Sequence, residues 1–418
     1  MTNIFKLFEL TCERYVQFCN EKNYEVSDFI RKVFNKEKIR LINKISDENF
    51  IYLKLCGNNK VLTKMRLTDE HIKGLCGILE EDESVKSLDL RFNRITDKGA
   101  EYIANLIKRN HSILEYNLMG NDIEEAGAKF LADAIVKSST IKTLKMTGNK
   151  IGDFGGMQFA QAIQINESLE ELDLGECDLK ISSVISFATV LLCNTTLKSL
   201  NLDRPLLWTQ QEETTVHMEN MLYINKSLVE LHLAKYEMRD FGMERLCDAL
   251  IINRTLTVLD LSCNRITRDG AKILAKVLKC NTPLKVLDLG YNRIHDQGIK
   301  AIANSLCYCN TNLKCLVITF NEIHDEGLME ITAALELNTT LDKIYIWGNE
   351  FTSDAIKYFG ALMDRFRLME SKVDVRPYSV DGIHQFALLP HNVDFRRYRY
   401  TAPIYGDDIP ENRSYAIS

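Results

Sequence analysis

The chain has 418 residues, 45% hydrophobic and 26% charged, with a formal net charge of −6, the profile of a soluble folded protein rather than a fibrous or disordered one. No apolar run approaches the roughly 20 residues a membrane span needs, and charges at Lys6, Glu9, Glu13 and Arg14 argue against a secretory leader. Residues 1–60 carry +3 and residues 363–418 carry zero, leaving −9 on the middle, an acidic body that argues against nucleic acid as the main partner.

In chain order, the stretches "IFKLFELTCERYVQFC" and "SDFIRKVFNKEKIRLI" have apolar stripes at helical spacing. Residues 1–60 therefore read as a helical N-terminal cap. Leu67 and Asp69 stand 28 residues before Ile95 and Asp97, so a degenerate half-repeat is expected from residue 61. A repeat then dominates the chain. "LDLRFNRITDKGA", "LKMTGNKIGDFGG", "LDLSCNRITRDGA" and "LDLGYNRIHDQGI" share the template L-x-L-x-x-N-x-I-x-x-x-G. The Asn position falls at Asn93, Asn121, Asn149, Cys177, Pro205, Tyr236, Asn264, Asn292, Asn321 and Asn349, at steps of 28 to 31 residues.

Each part of the template has a physical task. L-x-L alternates with period two, so a short strand points its leucines to a core. The Asn amide suits the sharp turn that ends the strand, and stacked repeats would align these amides as a ladder. Asp97, Asp153, Asp240 and Asp325 sit where a helix begins and suit capping. The glycine follows in the first turn, where neighbouring backbones are expected to approach closely. Ala271, Leu274, Ala275 and Leu278 show the amphipathic stripe of the helix itself. Strands pair about 4.8 Å apart while helices need about 10 Å, so such an array must bend with strands inside. These features predict an α/β horseshoe solenoid over 61–362, parallel strands concave and helices convex.

The fifth repeat departs from the template. "LNLDRPLLWTQQEETTVHMENML" has Pro205 at the Asn position and three extra residues, predicting an irregular insertion near 205–215 that carries Trp208. After residue 362 the template stops. The segment 363–418 holds most of the chain's prolines and many aromatics, too apolar for a free tail, and is expected to fold back as a strand-containing C-terminal cap.

Candidate chemistry is sparse. Twelve cysteines lie scattered without a compact framework, and with no leader they read as reduced thiols inside the cell. Cys280, Cys307, Cys309 and Cys315 straddle a helix end and a strand, so no metal is assigned. N-x-S/T at Asn110, Asn166, Asn194, Asn225, Asn253 and Asn338 recurs at one repeat position. A turn explains that register; glycosylation does not. Asn412 carries the same motif outside the array. No Ser or Cys nucleophile stands beside a His and a carboxylate, and "GLCG" and "GDFGG" lack the Lys-Ser/Thr of a phosphate loop. No cofactor and no small-molecule substrate are implied.

The strand positions between and after the leucines are better candidates, since alternation turns them away from the core. The expected partner-contacting set is Asp89, Arg91, Glu115, Asp173, Asp203, Glu230, His232, Asp260, Asp288, Tyr291, Phe320, Tyr345 and Trp347. Acidic groups dominate the first strands and aromatics the last. Exposed aromatics beside carboxylates suit a protein partner with a basic surface. The competing reading is that the chain's own tail covers the aromatics.

The 28-residue unit with Asn, Gly and a full helix resembles the ribonuclease-inhibitor-like class of leucine-rich repeats, from about Leu62 to Gly360. "LDLGECDL", "LDRPLLWTQQEETTVHMENML", "IYIWGNEF", "VRPYSVDG" and "YTAPIYG" are similar to one non-enzymatic group within that class. The resemblance implies an intracellular interaction scaffold of cytoplasm, nucleus or nucleolus, linked to germ or stem cells. Two alternatives stand beside it: a structural subunit of a larger assembly such as a ciliary axoneme, or a regulator of a GTPase or ribonuclease. The acidic tail of Ran GTPase-activating proteins and the cysteine density of ribonuclease inhibitor are both missing.

Overall fold

A computed structural model describes residues 2–43, 51–58, 66–207, 212–365 and 367–389, with the backbone alone for 2–11 and 36–43. Trp208, Asn412, residues 61–65 and the tail from Pro390 onward lie outside the described residues. The chain divides after Leu200 into two units.

The first unit opens with helices α1 (Thr2–Lys22) and α2 (Asp28–Asn43). Strand and helix then alternate through β1 (Ile51–Lys54), α3 (Asp69–Leu79), β2 (Val85–Asp89), α4 (Asp97–Arg109), β3 (Glu115–Asn117) and α5 (Glu125–Lys137). They continue through β4 (Thr143–Lys145), α6 (Gly152–Ile165), β5 (Glu171–Asp173) and α7 (Ile181–Val190). Strands β1 to β5 pair in parallel, in sequence order. Strand β6 (Ser199–Asn201) lies at the division. The second unit runs through α8 (Glu213–Ile224), β7 (Glu230–His232), α9 (Asp240–Ile252), β8 (Val258–Asp260), α10 (Arg268–Lys279) and β9 (Val286–Asp288). It ends with α11 (His295–Tyr308), β10 (Cys315–Val317), α12 (Asp325–Leu337), β11 (Lys343–Tyr345), α13 (Ser353–Asp364), β12 (Val375–Val380) and β13 (Ile383–Leu388). Strands β7 to β11 are parallel neighbours, again in order.

In each unit the template leucines fill the layer between sheet and helices. Leu88, Leu90, Leu172 and Leu174 are fully buried in the first unit, as are Leu259, Leu261, Leu287 and Leu289 in the second. The helices meet them with Ala271, Leu274, Ala275 and Leu278 and their equivalents. The alternate strand residues stand on the other side of the sheet, its inner face.

The turn after each strand is held by its Asn. The Asn292 amide donates to the carbonyls of Leu261 (3.0 Å) and Leu289 (2.9 Å), while its oxygen accepts the Ile266 N–H (3.1 Å). One side chain thus ties its own turn to the repeat before it. Asn121, Asn149 and Asn264 repeat the pattern, as the spacing predicts. At the other end of the repeat, Asn253 is buried, donates to Leu222 O (2.9 Å) and accepts the N–H groups of Thr255 and Leu256 (2.9 Å each). The N-x-S/T register is therefore a turn requirement.

Three expectations change. The segment 1–60 is not helical throughout: Ile51–Lys54 is a strand that pairs with β2, because "IYLKL" alternates and buries Ile51, Leu53 and Leu55. With α3 it makes a full repeat, so the sheet begins before residue 61. The template aspartates do not cap their own helices; each holds the start of the next. Asp240 accepts the N–H groups of Thr267 (2.8 Å) and Gly270 (3.1 Å) and the Thr267 hydroxyl (2.6 Å). As the first residue of its helix, Asp240 lies too late to be the cap, whereas the next repeat stacks against it. The glycine follows from the same contact: a Cβ on Gly270 would stand 2.5 Å from Asp240 Oδ1, and one on Gly127 would meet both Asp97 Oδ1 (2.5 Å) and the Asp97 backbone Cα (3.0 Å), so the carboxylate joins the expected backbone as its close neighbour.

The C-terminal end has the expected strands. β12 and β13 form an antiparallel hairpin closed by Asp381 and Gly382, whose φ values of 52° and 80° suit a tight two-residue turn. Phe386 packs edge-on against Phe351 and Phe359. The Asp374 carboxylate accepts the N–H groups of Ile346 (2.9 Å) and Trp347 (3.1 Å), ending the ladder beside β11.

Asn292→Ala strands the buried Ile266 N–H and removes one of the two amide donors from Leu261 O and from Leu289 O. It should lower unfolding free energy by about 2 kcal/mol, whereas Gln161→Ala at an exposed position of α6 should change it by less than about 0.5 kcal/mol. Urea unfolding of both variants tests this, and equal effects would remove the ladder from the account.

Candidate functional site

In each unit the face of the sheet opposite the leucines carries several of the expected site residues. In the first unit, Asp89 Oδ2 pairs with Arg91 Nε at 3.0 Å and accepts from the Cys56 thiol at 3.3 Å. Burial pushes the Cys56 thiol up to about 12, so it stays a neutral donor. Glu115 is exposed on β3, level with Ser87 and Thr143 rather than with another acid. Asp173 stands apart on β5.

Asp173 was expected to face solvent and is instead fully buried. Burial raises its carboxyl to about 6, although the Thr147 hydroxyl, the Gly175 N–H and the nearby Lys145 oppose the shift. Lys145 pairs with Glu171 at 3.2 Å.

The second unit concentrates charge. Glu230 and His232 lie on β7, Asp260 and Asp288 end β8 and β9, and Asp203 follows β6. His232 sits level with Asp260, and Asp260 with Asp288. His232 Nε2 meets Glu230 Oε1 at 2.7 Å, and Nδ1 meets Asp260 Oδ2 at 3.6 Å. Burial alone would lower the His232 pKa, but its contacts with Asp260 and Glu230 and the charge of Asp203 push it up to about 10. The same contact holds Asp260 below the usual carboxylate range against the opposing effect of burial. A protonated imidazole bracketed by carboxylates results.

Asp203, His232 and Asp260 also place one donor atom each within 4.8 Å of one another. That is roomy for a divalent ion, whose opposite ligands stand about 4 Å apart. The three donors form a set that a metal could use only after displacing the imidazolium proton.

Glu230 (0% exposed), His232 (5%), Asp288 (4%) and Tyr345 (2%) are buried rather than solvent-facing. Tyr345 belongs to an apolar cluster with Val258, Val286, Cys315 and Val317 on the same face. Val258, Val286 and Cys315 were not among the expected residues, although each precedes a core leucine by one residue and so shares the alternation of the acids. Tyr291 and Phe320 do come together: their rings stack at 4.4 Å and both remain 39% exposed. Both have positive φ, 59° and 51°, which turns them out of the strand at its end. Trp347 is half-buried beyond Tyr345.

The strand-end aspartates have a structural task as well. Asp89, Asp173, Asp260 and Asp288 each accept the N–H two residues on, at 3.2, 3.0, 2.9 and 2.8 Å. Asn117 and Asn201 make the same bond at 3.2 and 2.8 Å. The turn therefore takes a neutral Asn acceptor as well as a charged Asp.

Two pH effects are expected. The folded pKa of His232 lies above its unfolded value near 6.5, so its contribution to stability is full below that pH and is lost as pH rises through about 10. The gap in unfolding free energy between wild type and His232→Gln should be widest near pH 6 and shrink toward pH 10; a constant gap would contradict the bracketed imidazolium. Asp173 is also raised, from 3.8 to about 6, so its neutral form favours folding and that contribution fades from pH 4 to pH 6. Asp173→Asn should thus match wild type near pH 4 and exceed it at pH 7, in denaturation series at both pH values.

No helix among the described residues is long and apolar enough to cross a membrane. The family description "Leucine Rich repeat" matches residues 82–104, 137–160, 253–275, 280–303 and 309–331. Leucine-rich repeat-containing protein 34 from Mus musculus is 42% identical over 210 residues, 50% of this chain and 50% of that protein. Its Homo sapiens counterpart is 39% identical over 222 residues, 53% of this chain and 47% of that protein. The chain spans about half the length of the curated relatives it matches. Among solved structures, a chain of the Rad7 and Elc1 complex in yeast aligns with a TM-score of 0.45 and 16% identity, over 68% of this chain and 76% of that one. The template, the alternating parallel strands and helices and the five matched repeats give the chain a leucine-rich-repeat fold, and over half its length it is similar to leucine-rich repeat-containing protein 34.

Proposed function

We propose that this protein is a non-enzymatic interaction scaffold whose inner face in the second unit receives a protein segment with basic side chains beside apolar ones. One observation carries the reading. Asp260 and Asp288 lie level on adjacent strands, at a turn position that Asn117 and Asn201 fill without charge. Like charges placed opposite one another destabilise a sheet. A pair kept where neutral Asn would serve the turn equally well indicates a use for the field, and steering a basic partner is such a use. The apolar cluster from Val286 to Tyr345 and the Tyr291–Phe320 stack supply contact area next to it.

The same electrostatics weigh against catalysis. A general base works best with a pKa near the operating pH, and His232 holds its proton up to about 10. The resemblance to leucine-rich repeat-containing protein 34 supports a scaffold, and cysteines that form no disulfide framework support an intracellular setting.

Affinity purification should compare wild type with Asp260→Lys/Asp288→Lys/Trp347→Ala, after circular dichroism and thermal melting show the variant folded. Partners that use this face should fall about tenfold or more, equivalent to about 1.4 kcal/mol, and wild-type capture should weaken as salt rises. If every specific partner survives in the folded variant, the inner face is not the binding surface.

A further inference from the structure

The helix-to-strand turns of the second unit carry a surface that shares no residue with the inner face. Helices α8, α9, α11 and α12 end on Ile224, Ile252, Tyr308 and Leu337, which are 56%, 56%, 77% and 63% exposed. The turns that follow stack in chain order. Asn253 donates to Leu222 O and Asn225 O, and the Lys285 N–H to Thr257 O. Asn312 donates to Asn281 O and Thr282 O, and Asn338 to Leu306 O and Asn310 O. At about 10 Å per packed helix, the four apolar tips stand in a row about 40 Å long on this edge of the unit.

The charge around the tips has one sign. Residues 223–228, 251–256, 279–285 and 307–314 contain Lys226, Arg254, Lys279, Lys285 and Lys314 and no Asp or Glu. All five cations are exposed, and none makes an ion pair with another described residue. The acids of the next turn, Glu336 and Asp342, are already held by Arg365 (3.3 Å) and Lys372 (2.7 Å). On the same edge of the first unit cations are matched. Arg109, the last residue of α4, pairs with Glu80 at 2.8 Å, and Lys142 pairs with Glu170 at 2.7 Å. A cation at a helix C-terminus complements the helix dipole, which accounts for Lys279. It accounts neither for the four cations that follow their helices nor for the exposed aliphatic tips.

Charge and shape together select the partner. Protruding tips a helix diameter apart form no pocket for the anchor residue of a rigid protein, and Ile and Leu offer nothing to a phosphate backbone. A lipid leaflet accepts both features, because apolar tips enter it while Lys and Arg stay at the headgroups. We propose that this edge of the second unit docks on an anionic lipid surface. The four apolar tips enter the headgroup–acyl boundary, and the five cations hold the anionic headgroups. The scaffold reading concerns other residues, so the two stand or fall separately.

The test is co-sedimentation of the full chain with vesicles of phosphatidylcholine and phosphatidylserine at about 3:1, against vesicles of phosphatidylcholine alone. Binding to the mixed vesicles is expected, weakening as salt rises, with little binding to phosphatidylcholine. Each cation beside such a surface is worth about fivefold in affinity. Lys226→Glu/Arg254→Glu/Lys285→Glu should therefore lower the partition coefficient about a hundredfold. Ile224→Ser/Ile252→Ser/Leu337→Ser leaves the charge unchanged and should lower it about tenfold. All six side chains are exposed, and thermal melting checks that each variant is folded. The same reversal at the exposed Lys32, Lys129 and Lys150 of the first unit should cost less than about fivefold.

Equal binding to the two kinds of vesicle, or binding to neither, overturns the proposal. So does a loss in the first-unit control as large as that in the edge variant. Binding that follows the charge reversals but ignores the serines overturns it as well, and makes the edge a site for an acidic polypeptide or a nucleic acid instead.

Discussion

A buried amide that bonds backward as well as within its own turn is the contact on which the rest of this structure depends. A short strand and one helix cannot close a core alone; each repeat needs its neighbour. The Asn side chains make that dependence directional, because two N–H bonds and one carbonyl oxygen join two consecutive turns. Strand ends are thereby fixed relative to one another, and so is every inner-face side chain one or two residues before them. Asp240 and its equivalents clamp the helix starts in the same way, so both ends of the strand-to-helix connection are tied to the adjoining repeat.

Where the amide is lost, the structure changes character. Cys177 replaces it with a thiol that reaches Met146 O at 3.2 Å, one bond where Asn makes three. Pro205 brings no side-chain bond, and Tyr236 supplies only its backbone N–H, to Asn264 at 2.9 Å. These three repeats are consecutive, so the run of three-bond amides is interrupted over Cys177, Pro205 and Tyr236.

Much of this was legible in the residues. A ten-fold period, a two-residue alternation and a helical stripe leave little choice of fold, and the Asn task followed from its place after a strand. Other features were hidden for physical reasons. The strand at Ile51 lacks the template, so only its alternation announced it. Asp240 looked like a helix cap because capping is a local rule, whereas its partners lie 27 and 30 residues away. Exposure was the main failure. Alternation tells which side of a sheet Asp173, Glu230 and Tyr345 occupy, but not how deeply they are buried on it. The pairing of Tyr291 with Phe320 was legible as proximity, and their stacking was not.

The acidic row decides how the inner face should be understood. If the aspartates served only their turns, the charge would be a by-product and Asn would be the less costly residue. Two carboxylates about 5 Å apart repel by about 3 kcal/mol at an effective dielectric of about 20, a cost that Asn at either position avoids. His232 offsets part of it, and Glu230 holds that imidazole in place. Asp288 lies one strand further on, level with Asp260. A cation bound across such a pair lowers the repulsion. Arginine suits that role better than lysine, because a planar fork can bridge two carboxylates whose positions the strands already fix. Rigidity and charge therefore act together: the ladder that sets the strand ends also sets the spacing of the acids that a basic segment would meet.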